Sequence, residues 1–185
     1  VTNAGTYMHG REETEDGFET TLQVNHLAPY LLTNLLLERL VESAPARVVN
    51  VTSVAHTQVH EVDFDDLQAQ QGYSAYGAYA LSKLANVLFT YELARRQEGT
   101  GVTANCLHPG VIATKLLHEG FPGTSGESSE EGAATSIHLA ASAEVAGVSG
   151  RYFRDTEEVP SSRLSYDREL QRRMWDVSAE LTGVS

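Results

Sequence analysis

Arg47-Val-Val-Asn-Val-Thr-Ser53 limits the folds open to this chain more than any other stretch. A short β-branched run bounded by Pro45 and a polar segment has the pattern of a strand buried on both faces, which belongs in a parallel sheet covered by helices on each side. Ala75 to Arg96 follows with Tyr79, Leu84, Val87, Leu88, Tyr91 and Leu93 on helical spacing, ending ahead of Gly99 and Gly101. Val102 to Leu107 reads as a second strand, stopped by His108-Pro109-Gly110. Upstream, about Gly17 to Glu42 shows a helical period through Leu22, Leu27, Tyr30, Leu31, Leu35 and Leu40, with Pro29 marking a break or a first turn. Residues 54 to 73 read as a polar loop. Leu116 to Ser129, rich in Gly, Ser and Glu, is expected to be a mobile loop. It precedes a helix at about 130–143, a short strand Gly150 to Arg154 and an amphipathic helix Tyr166 to Thr182. Strands and helices alternating at these lengths predict an α/β fold with a parallel sheet and right-handed crossovers, in one domain over residues 1–185.

At this length the core needs neither disulfides nor a structural metal. A lone Cys106 excludes an internal disulfide and agrees with a reducing, cytoplasmic setting. The formal charge of -12, with Lys83 and Lys115 the only lysines, disfavours nucleic acid and anionic membrane as partners. The most apolar stretch, Pro29 to Leu37, is interrupted by Thr33 and Asn34, so no membrane segment is visible.

Tyr79-Ala-Leu-Ser-Lys83 places a phenol and an ammonium on one helix face. A free tyrosine is a poor base at neutral pH; a nearby cation favours phenolate and makes it a usable proton donor and acceptor. Chance produces such a spacing roughly 0.1 times in a chain of this composition, so the pair gains its specificity from its company. Ser53 stands at the C-terminal end of a buried strand, where ligands bind in open α/β sheets, and its hydroxyl can reach a substrate oxygen; taken alone it is a turn-capping serine. Asn25, among mostly apolar helical neighbours, needs a partner for its amide, either an ordered water in a proton relay or a fixed structural contact. His108-Pro109-Gly110-Val111-Ile112-Ala113-Thr114 is a turn whose free backbone groups can hold a planar amide, with Thr114 in reach of a phosphate; by itself it only ends a strand. His56 and His60 share helical spacing but lie in the predicted loop without an HExxH pattern, so they read as solvated surface histidines and no metal is expected.

Together these stretches resemble the short-chain dehydrogenase/reductase family, close to its retinol-dehydrogenase-like branch. Thr2-Asn3-Ala4-Gly5 is similar to the family's Asn-Asn-Ala-Gly, and Asn25, Ser53, Tyr79 and Lys83 match its catalytic tetrad in order. The resemblance implies a Rossmann-type doubly wound parallel sheet, of which this chain would supply the C-terminal portion. It implies hydride transfer between NAD or NADP and a small-molecule alcohol or carbonyl substrate. Tyr79 would exchange the proton, Ser53 orient the substrate oxygen, Lys83 bind the nicotinamide ribose and depress the Tyr79 pKa, and Asn25 hold a relay water. Asn3, Ala4 and Gly5 would line the adenosine side, and Pro109, Gly110, Val111, Ile112 and Thr114 would meet the nicotinamide amide and pyrophosphate. It further implies a homodimer or homotetramer. A symmetric dimer is expected through the helices at about 25–42 and 75–97, the latter carrying so little charge that it needs burial on more than one side.

The family's Gly-x-x-x-Gly-x-Gly turn, where a pyrophosphate meets a helix N-terminus, has no counterpart among the 185 residues, because Gly120, Gly123 and Gly126 follow no strand. The expectation is that such a protein's N-terminal cofactor-binding half is absent from this sequence, and that these residues alone neither bind NAD(P) usefully nor catalyse. A competing reading is a non-catalytic truncated remnant or dimerisation module of the same fold. The four ordered tetrad residues favour the enzyme, since a remnant has no physical need for them together.

Overall fold

The computed structural model describes residues 1–184. Four strands form one sheet in the order β1-β2-β3-β4: β1 (Ala46–Val51), β2 (Val102–His108), β3 (Tyr152–Arg154) and β4 (Glu157–Glu158). β1 runs parallel to β2 with Val49 opposite Asn105, β2 runs parallel to β3, and only the two-residue β4 is antiparallel. Thr2 adds a parallel bridge beside Asn50. The expected parallel α/β arrangement is present, and the strand at the start of the alternation is buried from Val48 onward.

Alternation along β1 divides the core between the two faces of the sheet. Val48 joins Tyr30, Phe89, Leu93 and Trp175 on one side, while Val49 and Val51 join Leu107, Leu139 and Phe153 on the other. The first side is covered by α3 (Ala75–Arg96) and α6 (Arg168–Thr182), the second by α5 (Ser129–Ala141). α3 is buried almost continuously from Tyr79 to Leu93. Its scarcity of charge is therefore already used within the chain, between the sheet, α6 and the helical segment around Asn25. That removes the physical reason for which α3 was expected at a dimer interface. By contrast, α2 (Ala28–Glu42) exposes Leu32, Leu35 and Leu36.

The helix expected over 17–42 is continuous but not regular. Glu19 caps α1 (Thr20–Leu22), its carboxylate accepting the Thr21 and Leu22 N–H groups, and a π-helical turn, Gln23–Leu27, joins α1 to α2. Pro29 explains the turn, because a proline has no N–H and its ring clashes with the carbonyl four residues earlier, here that of Asn25. The displaced Asn25 carbonyl instead accepts the Asn86 side-chain N–H at 2.7 Å.

Two expected loops carry structure. Residues 54–73 contain a 3-10 turn, Val54–Gln58, and contribute Leu67 to the core with Leu22, Leu27 and Leu84. Within the segment expected to be mobile, α4 (Lys115–Gly120) is capped by Thr114, and a parallel bridge between Ile112 and Glu127 closes the excursion at its base. Gly126 permits that closure, since a Cβ there would lie 2.6 Å from the Ala113 nitrogen. The last helix begins at Arg168 rather than Tyr166, because Asp167 caps it and Tyr166 belongs to a preceding 3-10 turn.

Candidate active site

The carboxyl ends of β1 and β2 open into a cavity of about 780 Å³. Asn3, Ala4, Gly5, Ser53, Tyr79, Lys83, Pro109, Gly110, Val111, Ile112 and Thr114 all line it. The fold thus brings together every residue expected at the site except Asn25. Strand ends at a sheet's carboxyl edge are where open α/β folds bind ligands, because the ladder stops there and leaves backbone groups free.

Tyr79 and Lys83 lie one turn apart on α3, 7% and 3% exposed. The Lys83 Nζ sits 5.6 Å from the centroid of the Tyr79 ring and donates to the Val51 carbonyl at a long 3.4 Å. Burial lowers the Lys83 pKa to about 8. It raises that of Tyr79, against the downward pull of the Ser53 hydroxyl. In the ligand-free protein the net direction at Tyr79 is upward, set first by burial. Burial disfavours the charged phenolate, and this is the largest influence on the group. Gly5 keeps this corner open, as a Cβ on it would touch both the Lys83 Nζ and the Asn25 Oδ1 at 3.4 and 3.5 Å.

Asn25 is fully buried and its amide is spent on protein contacts. Oδ1 accepts the Thr6 N–H at 2.7 Å, and Nδ2 donates to the Thr6 carbonyl and to the Ser82 hydroxyl, each at 3.0 Å. Both amide hydrogens are used, so this side chain has none left to donate to a relay water. Of the two alternatives open from sequence, the fixed structural contact is what the geometry displays. The amide ties Thr6 to the helical segment that carries Asn25 and to Ser82 of α3.

Ser53 has extended backbone and caps the turn that follows, its hydroxyl accepting the Ala55 N–H at 3.2 Å. The turn after β2 carries Gly110 at φ +96°, and Thr114 accepts the Leu117 N–H at 3.4 Å while keeping its own hydrogen to donate. His108 Nδ1 is buried in the cavity wall without a partner. His56 contradicts its expected place at the surface: the ring is wholly buried and both nitrogens are hydrogen-bonded.

A family model described as short chain dehydrogenase matches residues 1–124. The chain belongs to the short chain dehydrogenase family. Among its curated relatives it is 44% identical to mouse retinol dehydrogenase 12, 45% to human retinol dehydrogenase 14 and 42% to human polyprenol dehydrogenase. Each alignment covers the whole chain but only 58–60% of the relative, so this short chain dehydrogenase spans about three-fifths of their length. Among solved structures, an uncharacterized protein from Mycobacterium paratuberculosis matches the whole chain and 66% of its own length at TM-score 0.80 and 31% identity. NADPH-bound carbonyl reductase from chicken fatty liver shares the fold at TM-score 0.61 and 22% identity, over 86% of this chain and 64% of that one.

What spacing did not reveal in this short chain dehydrogenase is an aromatic group around Tyr79. The Tyr7 ring lies 5.6 Å from that of Tyr79 and 5.0 Å from that of Phe121, and Phe121 lies 6.2 Å from both Tyr76 and Tyr79. Tyr76 and Phe121 line the cavity together with Leu116 and Leu117. Tyr76 was findable, being one turn before Tyr79 on the same helix. Tyr7 and Phe121 meet it only because α4 folds back, with Gly120 so close that a Cβ would lie 3.0 Å from the Tyr7 ring.

Proposed function

We propose that this protein is an NAD- or NADP-dependent oxidoreductase acting on an apolar alcohol or its carbonyl partner, with Tyr79 as general acid and base. The observation that carries this reading is the single cavity that gathers Tyr79, Lys83, Ser53 and the turn after β2. Its polar atoms fit a nicotinamide dinucleotide: the Lys83 ammonium has only one long protein acceptor, and Gly5 leaves room beside it. Lys83 would bind the nicotinamide ribose, Pro109 to Thr114 the amide and pyrophosphate, and Asn3 to Gly5 the adenosine side. When bound, the cofactor accepts or delivers a hydride. Solved relatives of this fold carry NADH or NADPH, and the curated relatives are named for retinol and polyprenol.

The raised pKa of Tyr79 keeps its phenol protonated at neutral pH. In the ligand-free protein it therefore stands ready to donate a proton to a carbonyl oxygen, the step that reduction requires. Ser53, which lines the same cavity as Tyr79, would orient the same oxygen. Asn25 acts as a positioning residue, holding Thr6 and hence Gly5 against Lys83. Tyr76, Phe121, Leu116 and Leu117 form an aromatic and aliphatic wall that suits an apolar substrate and excludes water. The exposed leucines of α2 are the face we assign to self-association in a homodimer or homotetramer.

The test is consumption of reduced nicotinamide when these residues, joined to the N-terminal cofactor-binding half expected of such a protein, are given an apolar aldehyde with NADH or with NADPH, the 185 residues alone being expected to show none. Turnover with at least one of the two is expected. None with either, across aliphatic and ring-bearing aldehydes, contradicts the proposal.

A further inference from the structure

Ser53 lies where its strand stops being held by the sheet. The Thr52 N–H still donates to the Leu107 carbonyl at 2.7 Å, and beyond it the backbone turns away. From there Ser53 is gripped by His56. Its carbonyl accepts the His56 backbone N–H at 3.2 Å and the His56 Nδ1–H at 2.7 Å. The far side of the ring fixes which nitrogen carries the proton. The Ser162 backbone N–H points at Nε2 from 3.0 Å, and a backbone N–H can only donate, so Nε2 is bare and Nδ1 bears the hydrogen.

Ser162 is itself held. It belongs to a serine-rich strap whose Ser161 hydroxyl bonds Tyr91 of α3 at 2.7 Å, and whose Ser165 carbonyl accepts the Gln171 side chain of α6 at 2.8 Å. The ring is fully buried and lies 5.0 Å from that of Tyr152. The strap is outside the 124 residues that the family model matches.

We propose that His56 is a positioning residue for Ser53, a neutral imidazole clamped in its Nδ1–H tautomer by the C-terminal strap. It fixes the carbonyl of Ser53 and through it the direction of the Ser53 hydroxyl in the cavity that both Ser53 and Tyr79 line. The inference rests on the site reading above but can fail separately from it. Burial, which lowers the His56 pKa, agrees with a ring that stays uncharged.

Two substitutions separate the two hydrogen bonds. The Asn side chain in His56→Asn can place an amide N–H near the Nδ1 position and keep the bond to Ser53. The Gln side chain in His56→Gln reaches the Nε2 position, accepts from Ser162 and gives up Ser53. Nitrogen NMR of the wild-type imidazole should show a protonated Nδ1 and a bare Nε2, and a ring protonated on Nε2 would overturn the proposal. In His56→Gln the Tyr79 pKa, followed by its ring carbon resonance, should rise because the Ser53 hydroxyl, which lowers it, is no longer held in place. Turnover should fall roughly tenfold to a hundredfold, with KM for the nicotinamide unchanged. His56→Asn should recover most of both effects. A purely structural role would lower the folded fraction of the two variants alike and leave Tyr79 titration and turnover per folded molecule unmoved, and that result also overturns the proposal. If the wild-type protein, complete with its cofactor-binding half, shows no oxidoreductase turnover at all, the site reading fails, while the tautomer and the Tyr79 titration still decide the role of His56.

Discussion

Replacing Asn25 by Ala should unfold the protein more easily by an amount the structure lets one work out. The substitution removes three hydrogen bonds, to the Thr6 N–H, the Thr6 carbonyl and the Ser82 hydroxyl. Ser82 keeps a partner, since its hydroxyl also donates to the Tyr79 carbonyl at 2.7 Å. Thr6 keeps none of the two bonds Asn25 gives its backbone. Each buried backbone group left unpaired costs about 1–3 kcal/mol, and partial access of water to Thr6 brings the sum for two to about 2–4 kcal/mol. Trp175, the single tryptophan, is buried beside Tyr30 and Phe89 and reports unfolding by fluorescence. With a urea slope of about 2 kcal/mol per molar, the midpoint should drop by about 1–2 M. Asn25→Asp should be no better, because a carboxylate turns the donation to the Thr6 carbonyl into repulsion between two acceptors. A loss below about 0.5 kcal/mol in Asn25→Ala would refute the assignment of this amide as a structural tether.

Lys83 and His26 contribute to pH dependence with the same sign, in different pH windows. The folded-state pKa of Lys83 is lowered from 10.5 to about 8, so between those values the unfolded chain holds a proton that the folded one has lost. Stability from this group therefore rises with pH across that window, by about 3 kcal/mol in total, and a rise of the same size in Lys83→Met would contradict the buried ammonium. Burial lowers His26 from 6.5 to about 4, so the ring stays neutral while the unfolded chain protonates, and its contribution is present above 6.5 and lost as pH falls toward 4. Urea unfolding at about pH 7 and about pH 5 should differ by about 2 kcal/mol from His26 alone, and an equal difference in His26→Gln would show that other groups carry it. Leu35, 66% exposed on α2, should matter to assembly: Leu35→Glu is expected to give a monomer by light scattering where the wild type is a dimer. A wild-type monomer at micromolar concentration would dispose of that interface.

Much of the fold was legible because its signals are local. The β-branched run at Arg47 to Ser53 can only be a covered strand, and α3 runs over the span its apolar period marks, from Ala75 to Arg96. Tyr79 and Lys83 were findable since helical geometry puts residues four apart on one face. Ser53 and the turn at Pro109 were findable since strand ends at the carboxyl edge converge. What stayed hidden depends on distant partners. The role of Asn25 is decided by Thr6 and Ser82, 19 and 57 residues away, and by a π turn that Pro29 forces without any pattern announcing its register. His56 looked like a polar loop residue, and its burial follows from Ser162 and Tyr152 folding over it. The net direction at Tyr79 was hidden for a related reason. Sequence shows the cation four residues on, but not the depth of burial of either group.

The central claim, that Tyr79 moves the proton in an oxidoreductase reaction, is tested most directly by Tyr79→Phe. The substitution removes one oxygen from a ring held by Tyr7 and Phe121, so the fold should survive, as judged by an unchanged urea transition. In the complete protein, with its cofactor-binding half, steady-state turnover of an accepted apolar aldehyde should fall by at least about 100-fold relative to wild type, with KM for the nicotinamide little changed. A folded Tyr79→Phe protein turning over within about threefold of wild type would contradict the account.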